Sequence, residues 1–478
     1  MSTRHIIYTF ICLILAVLAN ITLLEEQIGI SYSLFIIVFY SFFFYQFRKF
    51  TFTHKQISGL LFFVICVLSF SYFIYSNQIF YVLNFIIIPP LIFVHIVLVT
   101  SSEGISWSNI AFISLLRKKM NQLFKYGTRL TQSSNRKFKS NVNETTYHTG
   151  KKIGVGILIA SPLVFLVLNL LLSADAQFQE LMLNLPKLLI NIDYGIFWTM
   201  IKIGILMLFF FCFFKIISKK TVVKPVVKDI NDDKNWDAVI LTTVLVSLNL
   251  LYLLFTIVQF QYFFSGTLVN DVSYAEYARR GFAELLSVTV INYLMILLTV
   301  RKTDKGSSKM IKIQLTLLIL FSSVMLVSSF MRLMMYEQAF GFTYLRIFAH
   351  TFMIYLMVIY AFTLVKVWIT RLPVARFYII FSLLFYLGFN IIGIDSIIVK
   401  NNIERFEATE KIDVQYLDQL SYSAIPEVVE LYKKHPDIDG LEDMLINKKE
   451  EINNEKAAWQ SYNLSRENAK RSLNELDF

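Results

Sequence analysis

Cysteine is scarce in this chain of 478 residues. Cys12, Cys66 and Cys212 are the only three, each lies inside an apolar stretch, and none has a second Cys or a His at ligand spacing. A disulfide framework and a zinc site therefore have no carrier. Charge is scarce too: Asp, Glu, Lys and Arg make up 17% of the residues, against about a quarter in soluble domains. A phosphate loop, a His-Glu-x-x-His helix, a nucleophile elbow and a dinucleotide-binding glycine pattern are all missing, so the common soluble-enzyme chemistries lack their signatures. No internal repeat of fixed period is visible, and the alternation of a lipid-facing barrel strand is absent, which leaves helices. The net charge of +11 comes without basic and aromatic patches in a soluble domain, so no nucleic acid is expected as partner.

What is present is apolar surface. Hydrophobic residues form 56% of the chain, with 45 Phe and 25 Tyr, and the mean hydropathy is +0.58. The apolar runs match the roughly 20 residues that a helix needs to cross a hydrocarbon core. They fall at 6–24, 28–47, 57–75, 79–100, 153–173, 196–217, 238–260, 282–300, 311–330, 345–367 and 377–398. The expectation is an all-α, polytopic integral membrane protein of about 11 transmembrane helices. Four parts are expected: a four-helix membrane part (1–100), a basic cytoplasmic loop with an interfacial helix (101–152), a seven-helix membrane core (153–400) and a soluble helical tail (401–478). The first span has "AVLAN" near its end, but its length and the immediate second span favour an uncleaved helix over a secretory signal.

Charge is distributed by side. Alternate connections, together with Arg4, hold 28 Lys and Arg, including ten from Arg117 to Lys152, whereas the others hold only Lys187, Arg279, Arg280, Arg332 and Arg346. The positive-inside rule then places the N-terminus inside and, with an odd number of crossings, the tail outside. The expected location is the bacterial plasma membrane, and lysine at twice the count of arginine fits an AT-rich genome.

The stretch "WSNIAFISLLRKKMNQLFKYGTR" sets Trp107, Ile110, Ile113, Met120 and Leu123 near one helical face and Arg117 to Lys119 and Lys125 around the other. It reads as a helix lying on anionic inner-leaflet lipid, Trp107 to Arg129. "TQSSNRKFKSNVNETTYHTGKK" after it reads as a flexible loop, and "QFQELMLNLPKLLINID" as an outer interfacial segment broken by Pro186. The tail from Lys400 carries seventeen acidic and eleven basic residues in segments with helical spacing, with Pro426 and Pro436 near helix starts. It reads as a small helical cap.

Polar groups at membrane depth are costly and call for a partner or a purpose. In "SYAEYARRGFAELL", helical spacing sets Glu276, Arg280 and Glu284 on adjoining turns, with Arg279 beside Glu276 and Asn292 about 12 Å deeper. "RLMMYEQAFGFTYLRIFAH" carries Arg332, Glu337, Arg346 and His350, with Thr343, Arg346 and His350 on one helical face and Gly341 at the turn. "NIIGIDSIIVKNNIERF" carries Asn390 and Asp395, with Lys400, Asn401, Asn402 and Arg405 beyond. All three fall on the outer side. Their arginines and carboxylates could line a pocket for an anionic group, since guanidinium matches carboxylate or phosphate. The competing readings are snorkelling arginines, a self-neutralised helix and a structural histidine. Pro89 and Pro90 break span four near Asn84 and His95, by a kink or as an ion site. Asn169 and Asn249 read as interhelical bonds. The pair Glu25 and Glu26 resembles the acidic pair of membrane glycosyltransferases, but the loop is too short for their usual domain.

The runs "YAEYARRGFAELL", "MMYEQAFGFTYLR", "IDSIIVKNNIERF" and "DVQYLDQLSYSAIPEVVELY" resemble a bacterial family of multi-pass membrane proteins catalogued as domain of unknown function 4173, with its relative 4153. The resemblance covers Leu241 to Tyr432, and the first four spans show no matching motif. It implies an all-helical plasma-membrane protein and carries over no activity, cofactor or catalytic residue.

Three functions follow as expectations. The first is a non-enzymatic sensor, regulator or scaffold, without cofactor or metal, whose outer Arg/Glu/Asp cluster and tail recognise an envelope ligand or a partner protein. The second is a transporter of an anionic solute. The third is an enzyme on a lipid-linked substrate, with Glu284 or Asp395 as general base.

Overall fold

The computed structural model describes residues 3–25, 27–102, 105–139, 194–219, 237–264, 282–302, 309–369, 371–455 and 458–476. Every element among them is helical. Nine described helices are long and apolar enough to cross a membrane: α1 (Thr3–Leu23), α3 (Lys55–Ile74), α4 (Gln78–Val99), α6 (Tyr194–Ile217), α7 (Ala238–Phe264), α8 (Phe282–Lys302), α9 (Lys309–Phe340), α10 (Tyr344–Trp368) and α11 (Val374–Ile391). Helix α2 (Ile30–Gln46) is apolar but only 17 residues long. The expected span at 153–173, with Asn169, and the segment 177–193 lie outside the described residues. Apolar side chains such as Phe10, Ile205, Leu254, Ile291 and Leu345 are exposed along these helices, a surface suited to lipid and not to water. The chain is a multi-pass membrane protein.

The contacts divide the chain into two units. In the first, α1 packs along α6, joined by the end of α2. The Tyr8 hydroxyl donates to the Phe211 carbonyl at 2.7 Å, and Phe42 meets Phe214 edge to face. Helix α5 (Ile110–Lys139) contributes most of its length to this unit. It is the expected amphipathic helix, with Ile110, Ile113, Met120 and Phe124 exposed. At 30 residues it runs on through "TQSSNRKFK", read above as loop. Arg, Lys and Gln are good helix formers, and polar character alone does not end a helix.

In the second unit, α9 is the central post, packed against α7, α8 and α10 around Leu245, Ile296, Leu318, Leu326, Met353 and Tyr360. Polar side chains pair across these helices: Asn249 donates to Gln314, and Asn292 accepts from the Tyr252 hydroxyl at 2.8 Å and donates to Ser322 at 2.9 Å. Helices α3 and α4 form a hairpin, α11 packs on α3, and α10 touches α11. Helix α4 runs without interruption through Pro89 and Pro90, so there is no unwound segment there for an ion site. His95 is buried and bonded through both ring nitrogens, to Tyr40 at 2.9 Å and Ser58 at 3.0 Å.

The last span is shorter than expected. Helix α11 stops at Ile391, Gly393 adopts φ 66, and α12 (Ile394–Thr409) starts anew. A glycine in the left-handed region ends a helix cheaply. From there α12, α13 (Val414–Asp418), α14 (Ile425–Lys434), α15 (Leu441–Asn454) and α16 (Leu464–Asn474) build a helical cap with its own core of Ile398, Val399, Val428, Leu441, Leu445 and Leu473. Pro426 sits in the first turn of α14, as expected, whereas Pro436 follows the C-cap His435 and acts as a stop.

Candidate functional site at the junction of bundle and cap

The α3–α4 and α9–α10 turns and the end of α11 meet the cap within the second unit. Asn77 starts α4: its side-chain oxygen accepts from the Ile79 and Phe80 amides at 3.0 and 3.2 Å, a regular N-cap. That cap leaves its amide nitrogen free to donate outward, to Asp395 Oδ2 at 2.8 Å. Asp395 Oδ1 accepts from the Ser421 amide at 3.1 Å and from the Tyr344 hydroxyl. This carboxylate, 2% exposed, sits in the first turn of α12, where the helix dipole favours negative charge. Three donors from α4, α10 and the cap converge on it. A buried charge is tolerated when it is matched in this way.

Beneath Asp395 lies a second polar layer. The Asn84 amide donates to Asn390 at 2.7 Å and to Ser71 at 3.1 Å, while its oxygen accepts from the Tyr386 hydroxyl at 2.6 Å. Asn84, Asn390 and Ser71, with Tyr72, Tyr75 and Tyr81, line a cavity of about 20 Å³, room for a single water.

The α9–α10 turn is gripped from the cap. Asn402 holds both ends of the Phe342 peptide, accepting from its N–H at 2.8 Å and donating to its carbonyl at 2.9 Å. The Tyr416 hydroxyl accepts from the Tyr344 amide at 2.8 Å. Arg405 donates to the Gln338 and Ala339 carbonyls at 3.0 and 2.7 Å, and Arg346 to the Phe340 and Gly341 carbonyls while lying 4.3 Å over the Tyr336 ring. Two guanidiniums thus satisfy the last three carbonyls of α9 and that of Gly341, while the Glu337 carbonyl accepts from the Gly341 amide at 2.7 Å.

Of the residues singled out from sequence, Asp395, Arg346, Asn84, Asn390, Asn402 and Arg405 join this junction, and all are held by protein partners. Arg346 turns to the end of α9, where the expected shared face with Thr343 and His350 pointed to a ligand. His350 reaches Glu337 instead, Nδ1 to Oε2 at 3.2 Å, with Nε2 3.4 Å from the Phe330 carbonyl. Glu337 is 2% exposed, and its Oε1 has no hydrogen-bond partner. Arg332 is buried in α9, and Glu284 is exposed on the first turn of α8. Glu276, Arg279 and Arg280, and so the expected ladder, lie outside the described residues. Asn77, Tyr344, Tyr416 and Ser421 are junction residues the sequence reading missed. For Asn77 the signal was present, an Asn directly before an apolar helical run.

Helices of membrane-spanning length, tied by buried polar bonds to a helical cap, define a multi-pass membrane protein that is helical throughout its described elements. The chain belongs to the family described as Domain of unknown function (DUF4153), whose sequence profile matches residues 62–431. The match reaches back to the third span, well ahead of Leu241, where the motifs begin. No curated protein and no solved structure matches the chain.

Proposed function

We propose that this is a bacterial plasma-membrane protein with eleven spans and an inner N-terminus, working as a non-enzymatic sensor, regulator or scaffold. The cap, on the outer face, is its recognition element for an envelope ligand or partner protein, and the bundle is its mount. The observation that carries this reading is Asp395, whose carboxylate ties α4, α10 and the cap together. The sided lysines and arginines support the orientation, and α5 would lie on anionic inner-leaflet lipid. Transport of an anion and catalysis on a lipid-linked substrate draw less support. Arg346 serves backbone carbonyls, and the cavity beside Asp395 has the size of one water.

In a deletion strain, wild type and Glu284→Gln restore the lost phenotype equally. Asp395→Leu strands three donors, at a cost of roughly 2–5 kcal/mol, and fails to restore it. Proteolysis of the same membranes shows whether the cap of Asp395→Leu has loosened. Full restoration with a loosened cap sinks the reading.

A further inference from the structure

The cap segment running from Trp459 to Leu464 shows three large side chains on its surface. Trp459 is 56% exposed, Tyr462 44% and Leu464 38%, although the backbone that carries them is among the most tightly held in the cap. The Tyr462 carbonyl accepts from the Ile30 amide at 3.0 Å, at the start of α2. A Cβ at Gly29 would come within 2.5 Å of that carbonyl, so only glycine allows the approach. Asn463 donates to the Tyr72 and Tyr75 carbonyls, both at 2.8 Å, and Ser465 to that of Ile74 at 2.6 Å, which seats the segment on the end of α3.

These contacts fix the height of the three side chains. The Tyr462 ring stacks on Phe73 with centroids 6.0 Å apart, and Phe73 packs on Phe70 at 5.2 Å. Phe70 is 47% exposed and belongs to the outward apolar surface of α3 and α2 that also bears Phe63, Leu34 and Ile37. Exposed apolar side chains on helices of spanning length suit lipid, and the ring contacts from Phe70 through Phe73 to Tyr462 lead from them to the cap. Tryptophan and tyrosine just beyond the ends of spanning helices occupy the headgroup layer, where the apolar ring is buried and the polar edge stays wet.

We infer that Trp459, Tyr462 and Leu464 form a membrane-interface belt on the cap, and that its occupant is the lipid headgroup layer at the ends of α2 and α3. The cap is held to the bundle by Asp395 and to the bilayer surface by this belt. The inference holds for either orientation of the cap, so its failure leaves the proposed function standing, and the reverse is also true.

The test uses the full chain with Trp459 as its only tryptophan, Trp107, Trp198, Trp236 and Trp368 being replaced by Phe. It is reconstituted in phosphatidylcholine vesicles with or without bromine on the upper acyl carbons. Trp459 fluorescence is expected to fall about twofold or more in brominated vesicles, as for a ring at the interface. Equal emission in the two vesicles, at the wavelength of water-exposed tryptophan, overturns the inference. If the fourfold replacement does not fold, a bimane on Trp459→Cys in a chain that keeps its other tryptophans and has Cys12, Cys66 and Cys212 replaced by Ala is read against the same vesicles, and the same two outcomes decide.

Discussion

At Gly341 the chain has room for no side chain. The residue sits at φ 84, and a Cβ there would lie 2.6 Å from Asn402 Oδ1, the atom that holds the Phe342 amide. Gly341→Ala must therefore bear both left-handed strain and the loss or shift of the Asn402 grip, a cost of about 1–3 kcal/mol. The expected outcome is earlier thermal unfolding of the purified protein in detergent. Adding Asn402→Ala removes the clash but not the strain, so the double variant stays below wild type, and its shift falls short of the sum of the single shifts because the two sites touch. Gly341 was legible as a turn, since glycine follows an apolar run there. Its partner was not, because Asn402 lies 61 positions away and no local pattern links a turn to a distant amide. Asp395 was legible as a polar group near the membrane, but its three donors come from three separate elements, so sequence spacing could only suggest an open site where the fold makes a closed one.

Among the elements, α5 shows how one helix serves two environments. Its exposed stripe of Ile110, Ile113, Met120 and Phe124 is read directly from the period of the sequence. The opposite face buries Phe112, Leu115 and Lys119. Lys119 looked like part of the basic edge, yet it is 5% exposed and donates to the carbonyls of Ile216 and Lys219, at 2.9 and 2.7 Å, where α6 ends. An ammonium suits the negative end of a helix. Burial, with Lys118 and Lys219 nearby, nonetheless pushes its pKa down to about 8 from 10.5. The folded chain then binds fewer protons than the unfolded chain between about pH 8 and 10.5. The penalty for the buried charge is full below the lower value and fades as pH rises through that window. Hydrogen-exchange protection of α5, taken as wild type relative to Lys119→Met at each pH, is expected to rise from pH 8 to 10.5. A flat difference would mean that the amine titrates at its ordinary value.

For the whole molecule, the long apolar runs were the most legible feature, because spanning a bilayer demands about 20 residues whatever the protein does. Every expected span within the described residues coincides with an apolar helix, α2 being the short one. The end of the last was misplaced because Ile392, Ile394, Ile397 and Ile398 prolong the apolar run past Gly393, and burial in the cap is indistinguishable from burial in lipid by hydropathy alone. Which side the cap faces rests on charge. On the proposed topology of eleven crossings with the Lys- and Arg-rich connections inside, the cap and α5 are expected on opposite sides of the membrane. Replacing the three native cysteines and adding Glu442→Cys, exposed in the first turn of α15, or Lys125→Cys, exposed on α5, gives one reporter for each. A membrane-impermeant maleimide added to intact cells is expected to label Glu442→Cys and to reach Lys125→Cys only after permeabilisation. The reverse pattern would invert the chain and place the recognition surface of the cap in the cytoplasm. Labelling of both in intact cells would put α5 and the cap on the same outer face, which the seven crossings proposed between α5 and the cap do not allow.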